Sequence, residues 1–118
     1  MRLAMFGRDD WPEDPRLHPF REAVWELSRD GVVVGYLISD IWPMRSLPLF
    51  WKRQEHMWFA LVWADGEVDR PNEDYGPDWY TVSELEQGFL DEGGDRFEAR
   101  PLEGQDRDAL WDRHKDLI

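Results

Sequence analysis

Between residues 20 and 63 apolar side chains recur with a period of two, the spacing of a β-strand, whose successive side chains point to opposite faces. Phe20–Ser28 sets Ala23, Trp25 and Leu27 against Glu22, Val24 and Glu26, which predicts a strand with one wet face. Arg29-Asp30-Gly31 supplies the turn, since glycine accepts the positive φ of a tight hairpin. The return strand, Val32–Ile38, is apolar on both sides, with Val32, Val34, Tyr36 and Ile38 on one and Val33, Gly35 and Leu37 on the other. A strand of that kind belongs inside a sheet covered on both faces. His56–Trp63 repeats the pattern, with Met57, Phe59, Leu61 and Trp63 opposite Trp58, Ala60 and Val62. Between the two, Ile41–Trp51 contains Pro43 and Pro48 and reads as an irregular apolar connection. Ala64-Asp65-Gly66-Glu67 makes a second turn into a short strand at Val68, which Pro71 ends.

Past residue 80 the period changes. Thr81-Val82-Ser83-Glu84 matches a capping box, in which the threonine hydroxyl accepts from the third helical N–H and the glutamate reaches back. A helix with the stripe Val82, Leu85, Phe89 is therefore expected to run to Gly93-Gly94, weakened at Gly88 by about 1 kcal/mol relative to alanine. Arg96–Leu102 resembles a short strand with Phe97 and Ala99 on one side. A final helix over Asp106–Leu117 carries Leu110, Trp111, His114, Leu117 and Ile118 on its apolar stripe. Residues 1–19 place Pro12, Pro15 and Pro19 among charges and read as an irregular leading segment, partly docked at best.

The expected class is α+β: an antiparallel sheet of four to six strands built from two hairpins, with two C-terminal helices packed on one face. The 118 residues fit one domain, mainly β over 20–80 and helix-strand-helix over 81–118. Two short helices cover only one face of such a sheet. Either the sheet curls on itself, or its second face meets a partner, a second copy of this chain included.

Charge sharpens the picture. Asp65, Glu67, Asp69, Glu73, Asp74, Asp78, Glu84, Glu86, Asp91, Glu92 and Asp95 are opposed within residues 65–95 by Arg70 alone, so this quarter of the chain carries most of the net charge of −12. A solvated loop and an outer helix face would account for an ordinary charge run. An adaptation to high salt would spread acids over every face, whereas here they are concentrated. Uncompensated like charges oppose compaction, and a partner bearing Lys and Arg would relieve them. The same acidity disfavours direct binding to nucleic acid or to an anionic membrane.

Candidate chemistry is sparse. The absence of cysteine excludes disulfides, thiolate metal sites and a cysteine nucleophile. His18, His56 and His114 lie far apart without a supporting motif, and His114 falls on an apolar stripe where a packed histidine is the ordinary outcome. None of Ser28, Ser39, Ser46 and Ser83 sits in a nucleophile elbow. With 26 acids to choose from, any carboxylate pair proposed for glycoside hydrolysis is uninformative. Asp65-Gly66-Glu67-Val68-Asp69 alternates carboxylates as calcium loops do, but the sixth position is Arg70 and the twelfth is Gly76, where glycine and a bidentate glutamate are needed. No catalytic residue, metal or cofactor is therefore expected. Among the 8 tryptophans, Trp25, Trp58, Trp63 and Trp111 fall on strand or helix faces and read as core, while Trp42, Trp51 and Trp79 border irregular segments as lids or interface anchors. The first residues have too short an apolar run for a signal peptide, and no stretch approaches the ~20 residues of a spanning helix, so a cytoplasmic protein is expected.

The function these features suggest is a non-enzymatic acidic interaction domain that binds and inhibits a basic partner, such as a nuclease or another nucleic-acid-binding protein. Immunity proteins and DNA-mimicking inhibitors are the analogous types. Asp69, Glu73, Asp74, Asp78, Glu84 and Asp91 are the expected contacts, with Tyr75 and Trp79 as anchors. The alternative is a small-molecule binder whose strands curl around a pocket of Tyr36, Trp42, Trp58 and Phe59.

Overall fold

A computed structural model describes residues 15–45, 53–69 and 79–118, with the backbone alone for 42–45 and 53–56. A 3₁₀ helix at Pro15–Phe20 leads into β1 (Ala23–Arg29), β2 (Val32–Arg45), β3 (Arg53–Trp63), β4 (Val68–Asp69), α1 (Trp79–Glu86), β5 (Phe89–Glu92), β6 (Asp95–Pro101) and α2 (Gly104–His114). The six strands form one antiparallel sheet in the order β4-β3-β2-β1-β6-β5, curled into a half-barrel. The fold is α+β, as the pattern of the sequence indicates.

The β1–β2 hairpin closes where the sequence places it, with Asp30 and Gly31 at φ of 52° and 80°, the two positive values that a two-residue turn of this hand requires. β2 then runs further than its apolar pattern indicates. The segment read as irregular from Ile41 is strand as far as Arg45, and Pro43 pairs with Glu55. Proline is tolerated there because β1 pairs with β2 only as far as Ser39, which leaves a free side for the missing N–H. Residues 46–52, including Pro48 and Trp51, lie outside the described residues.

The second half departs more from expectation. α1 begins at Trp79, so Thr81 and Glu84 lie inside the helix, and both are buried. Gly88 does not interrupt the helix but ends it: the N–H groups of Gln87 and Gly88 bond back to the Ser83, Glu84 and Leu85 carbonyls, and Gly88 takes φ 91°, a left-handed termination open to glycine. Gly93 and Gly94, at φ 60° and 86°, form the β5–β6 hairpin turn instead of a helix stop.

One core cluster joins Trp25, Leu27, Leu37, Met57, Phe59, Leu61, Phe97 and Ala99 on the inner face of the sheet with Val82 and Leu85 of α1. Leu17 and Phe20 of the 3₁₀ helix complete it, each fully buried. The end of the leading segment is thus core, and burial of side chains of this size is worth about 1.5–3 kcal/mol each. The two helices divide between the faces. α2 contacts β1, and its Ala109 and Leu110 lie by Glu26 and Tyr36, which alternate with the core-facing Trp25, Leu27 and Leu37. Its stripe of Leu110, Trp111, His114, Leu117 and Ile118 is half-buried, and no α2 residue is fully buried.

The curl has a local cause. The register of β1 against β2 shifts between Leu27 and Ser28, a bulge that bends the strand and raises its twist. Gly35 faces Leu27 on one side and Trp63 on the other, so the bend falls where β2 has no side chain to resist it.

Candidate functional site

Curling brings three turns to one end of the half-barrel. Arg29 at the β1–β2 turn reaches Asp95 at the β5–β6 turn, 3.2 Å between Nη1 and Oδ1. Trp63, the last residue of β3, packs its ring 5.4 Å from that of Phe97 on β6, the planes tilted by 52°. Around this contact lies a cleft of about 660 Å³. Its walls are apolar: Val32, Val33, Val34, Trp63 and Phe97. Its rim carries Asp65, Glu67 and Asp69 from the β3–β4 segment and Glu92 and Asp95 from the β5–β6 hairpin.

The β3–β4 turn is held by its own acids. Asp65 Oδ1 accepts the Glu67 N–H at 2.9 Å, and Asp69 Oδ2 accepts the Trp63 indole N–H at 3.0 Å. These bonds engage one oxygen of each carboxylate and fix the edge of the indole. Among the described residues no group of three or more acidic or histidine side chains is placed to hold a metal ion. Glu92 has its carboxyl raised above the ordinary carboxylate range, first by burial and then by the neighbouring charge of Asp69. Acids from hairpins more than twenty residues apart in sequence thus lie close enough to repel at this end of the molecule.

The eight residues expected from sequence to bind a partner are placed differently from one another. Asp69 lies on the cleft rim. Asp91 is held by Arg96 through two bonds of 2.8 and 3.0 Å, and this pairing lowers its pKa. Glu84 is only 5% exposed and accepts the Asp91 backbone N–H at 3.3 Å, tying α1 to β5. Trp79 is exposed at the start of α1, with the Arg16 guanidinium 5.1 Å from its ring centre. Glu73, Asp74, Tyr75 and Asp78 lie outside the described residues. Within the described set the cleft therefore gathers Asp69 with Asp65, Glu67, Glu92 and Asp95, four members of the acidic run outside the eight expected contacts.

The valines of the β1–β2 turn depart further from expectation. A strand apolar on both faces was expected to be covered on both, yet Val32 is 63% and Val33 40% exposed. They line the cleft at the open end of the curl. Of the tryptophans expected in the core, Trp25 is buried and stacks on Phe20 at 5.3 Å, while Trp58, Trp63 and Trp111 are half-buried. The side chains of Trp42 and His56 lie outside the described residues.

Of the aromatic residues named for the alternative pocket, the three whose side chains are described stand on two faces of the sheet. Phe59 belongs to the inner core, whereas Tyr36 and Trp58 stand at strand positions of the opposite parity. His18 is exposed on the 3₁₀ helix, and His114 is half-buried on α2, its pKa lowered by burial and by Arg113. Among the described residues no helix is long and apolar enough to cross a membrane. No family model, curated protein or solved structure matches this chain.

Proposed function

We propose that this chain is a non-enzymatic, cytoplasmic interaction domain that binds and inhibits a basic partner, in the manner of an immunity protein or a DNA mimic. The observation that carries this reading is the convergence of acids from two separate hairpins on one apolar-walled cleft. A carboxylate rim around exposed valines and two aromatic rings has the composition of an interface: apolar at its centre, charged at its edge. Five carboxylates line the cleft, of which Asp95 pairs with Arg29, and an excess of acid steers a cationic partner and raises its rate of association. A nuclease, or another protein that handles nucleic acid, presents the complementary surface. Glu73, Asp74, Tyr75 and Asp78 extend the same acidic sequence and belong to the proposed interface with Asp69.

Charge reversal of Glu67 and Glu92 to lysine tests the reading, because both are on the rim and neither side chain is core. The double variant should keep its fold by circular dichroism and lose salt-sensitive capture of basic proteins. Undiminished capture by a folded double variant would refute the proposal. Glu84 is unsuited to this test, since its buried carboxylate holds β5 in place.

A small-molecule reading finds less support, because the aromatic residues expected to line its pocket divide between the two faces of the sheet.

A further inference from the structure

The protein holds its own arginines in a repeated way. Arg96 lies 4.0 Å from the centre of the Phe89 ring and forms two bonds to Asp91. Arg16 lies 5.1 Å from the Trp79 ring and pairs with Glu86 at 2.8 Å. Arg107 lies 5.6 Å from the Trp111 ring and pairs with Asp108 at 2.9 Å. Each arrangement sets a planar guanidinium against an aromatic ring and one carboxylate, a combination that suits arginine far better than lysine.

The cleft offers the same two components. Trp63 and Phe97 supply the rings, and Glu92 and Asp69, whose Oδ2 also accepts the Trp63 indole N–H, supply the carboxylates; among the described residues that line the cleft there is no lysine or arginine, and the nearby Arg29 is engaged by Asp95. Building on the partner reading above, we infer that the cleft takes an arginine side chain of the partner. Its methylene stem lies along Val33 and the two rings, and its guanidinium meets Glu92 and Asp69. The apolar walls favour a cation with a long hydrocarbon stem over a bare inorganic ion. The volume of about 660 Å³ also admits peptide on either side of that arginine, in keeping with the size of ligand clefts in general. A bound guanidinium would offset the repulsion between Glu92 and Asp69, so arginine binding and loss of the Glu92 proton are coupled.

The test titrates the isotope-labelled full chain with N-acetyl-arginine methylamide and, separately, with the lysine analogue, following the Trp63 indole N–H resonance. The arginine probe should shift that resonance saturably, and the lysine probe should bind several-fold more weakly. Val33→Trp fills the cleft without changing charge and should abolish the shift; Val32→Trp serves the same purpose should the first variant not fold. Glu92→Gln should weaken binding several-fold. Equal shifts with both probes, or an unchanged shift in a folded cleft-filled variant, would overturn the inference. Capture of a basic protein that survives Val33→Trp but not rim charge reversal would overturn this inference alone, leaving the partner reading intact. Loss of salt-sensitive capture altogether, with arginine still bound, would strike the partner reading instead.

Discussion

The rings of Trp63 and Phe97 lie 5.4 Å apart, although β2 and β1 stand between their strands in the sheet order. In a flat sheet three strand steps of about 4.8 Å would separate them by roughly 14 Å. Their contact records how strongly the sheet is curled, and it forms the inner wall of the acidic cleft. Fold and candidate site are thus one geometric fact: acids distant in sequence meet because the sheet bends between them.

That bend depends on Gly35. A Cβ placed there would stand 2.7 Å from the Val62 carbonyl oxygen and 2.9 Å from Cε3 of Trp63, closer than side chains tolerate against backbone. Gly35→Ala should destabilise the protein by about 1–3 kcal/mol, the usual range for overpacking, and should displace the Trp63 indole. Urea unfolding and the Trp63 N–H resonance check the two parts; a variant of unchanged stability would mean that β2 does not approach β3 this closely.

Glu84 illustrates an acid that serves the fold. Glu84→Ala removes the acceptor for the Asp91 N–H and should cost about 1–3 kcal/mol, the penalty for a buried donor left unsatisfied. Glu84→Gln retains an acceptor oxygen and should cost less. Faster amide exchange at Asp91 in the alanine variant would localise the effect.

Acidic groups pull stability in opposite directions as pH changes. Glu92 has a raised folded pKa, so the folded state holds its proton more tightly than the unfolded chain, and this contribution is lost as pH rises through the folded value. Glu92→Gln should accordingly raise the melting temperature near neutral pH, with the gain vanishing below the ordinary glutamate range. Glu86 and Asp91 have lowered pKa values through Arg16 and Arg96; their contributions are present above the ordinary carboxylate range and fade as pH falls through the folded values. These two groups are exposed, so solvent screens both effects. Melting curves across pH for the wild type and Glu92→Gln decide the sign.

Binding should show the converse dependence at the cleft. A cation favours the ionised form of Glu92, so affinity for the arginine probe should rise as pH increases through the Glu92 titration and flatten above it. In Glu92→Gln that rise should disappear. A pH-independent affinity in the wild type would place the cation away from Glu92.

Much of the fold was legible in the sequence because two-residue alternation and glycine turns are local signals. The Asp30-Gly31 hairpin, the face of β3 and the pairing of Phe97 with Ala99 on one side of β6 follow from such signals. The second half misled where two periods competed. Phe89, Leu90, Asp91 and Glu92 are too few to distinguish strand from helix, and Gly88, which the pattern sets within a helix, ends it through its positive φ. The core role of Leu17 and Phe20 was hidden among prolines.

The site was half legible. Composition located the acidic run, but which acids are free depends on where their arginines lie. Arg96 engages Asp91 from the facing strand, and Arg16 engages Glu86 from a position 70 residues away. The meeting of Asp69 with Glu92 required the curl itself, whose only local trace is Gly35 beside a bulge.

The most direct measurement is a pull-down with the tagged full chain from lysate of its own host at low and high salt, the captured proteins being identified by mass spectrometry. A basic, nucleic-acid-handling protein should be retained at low salt and released at high salt, as screening weakens contacts between exposed charges. Recovery of no basic protein, or retention indifferent to salt, would contradict the proposed function.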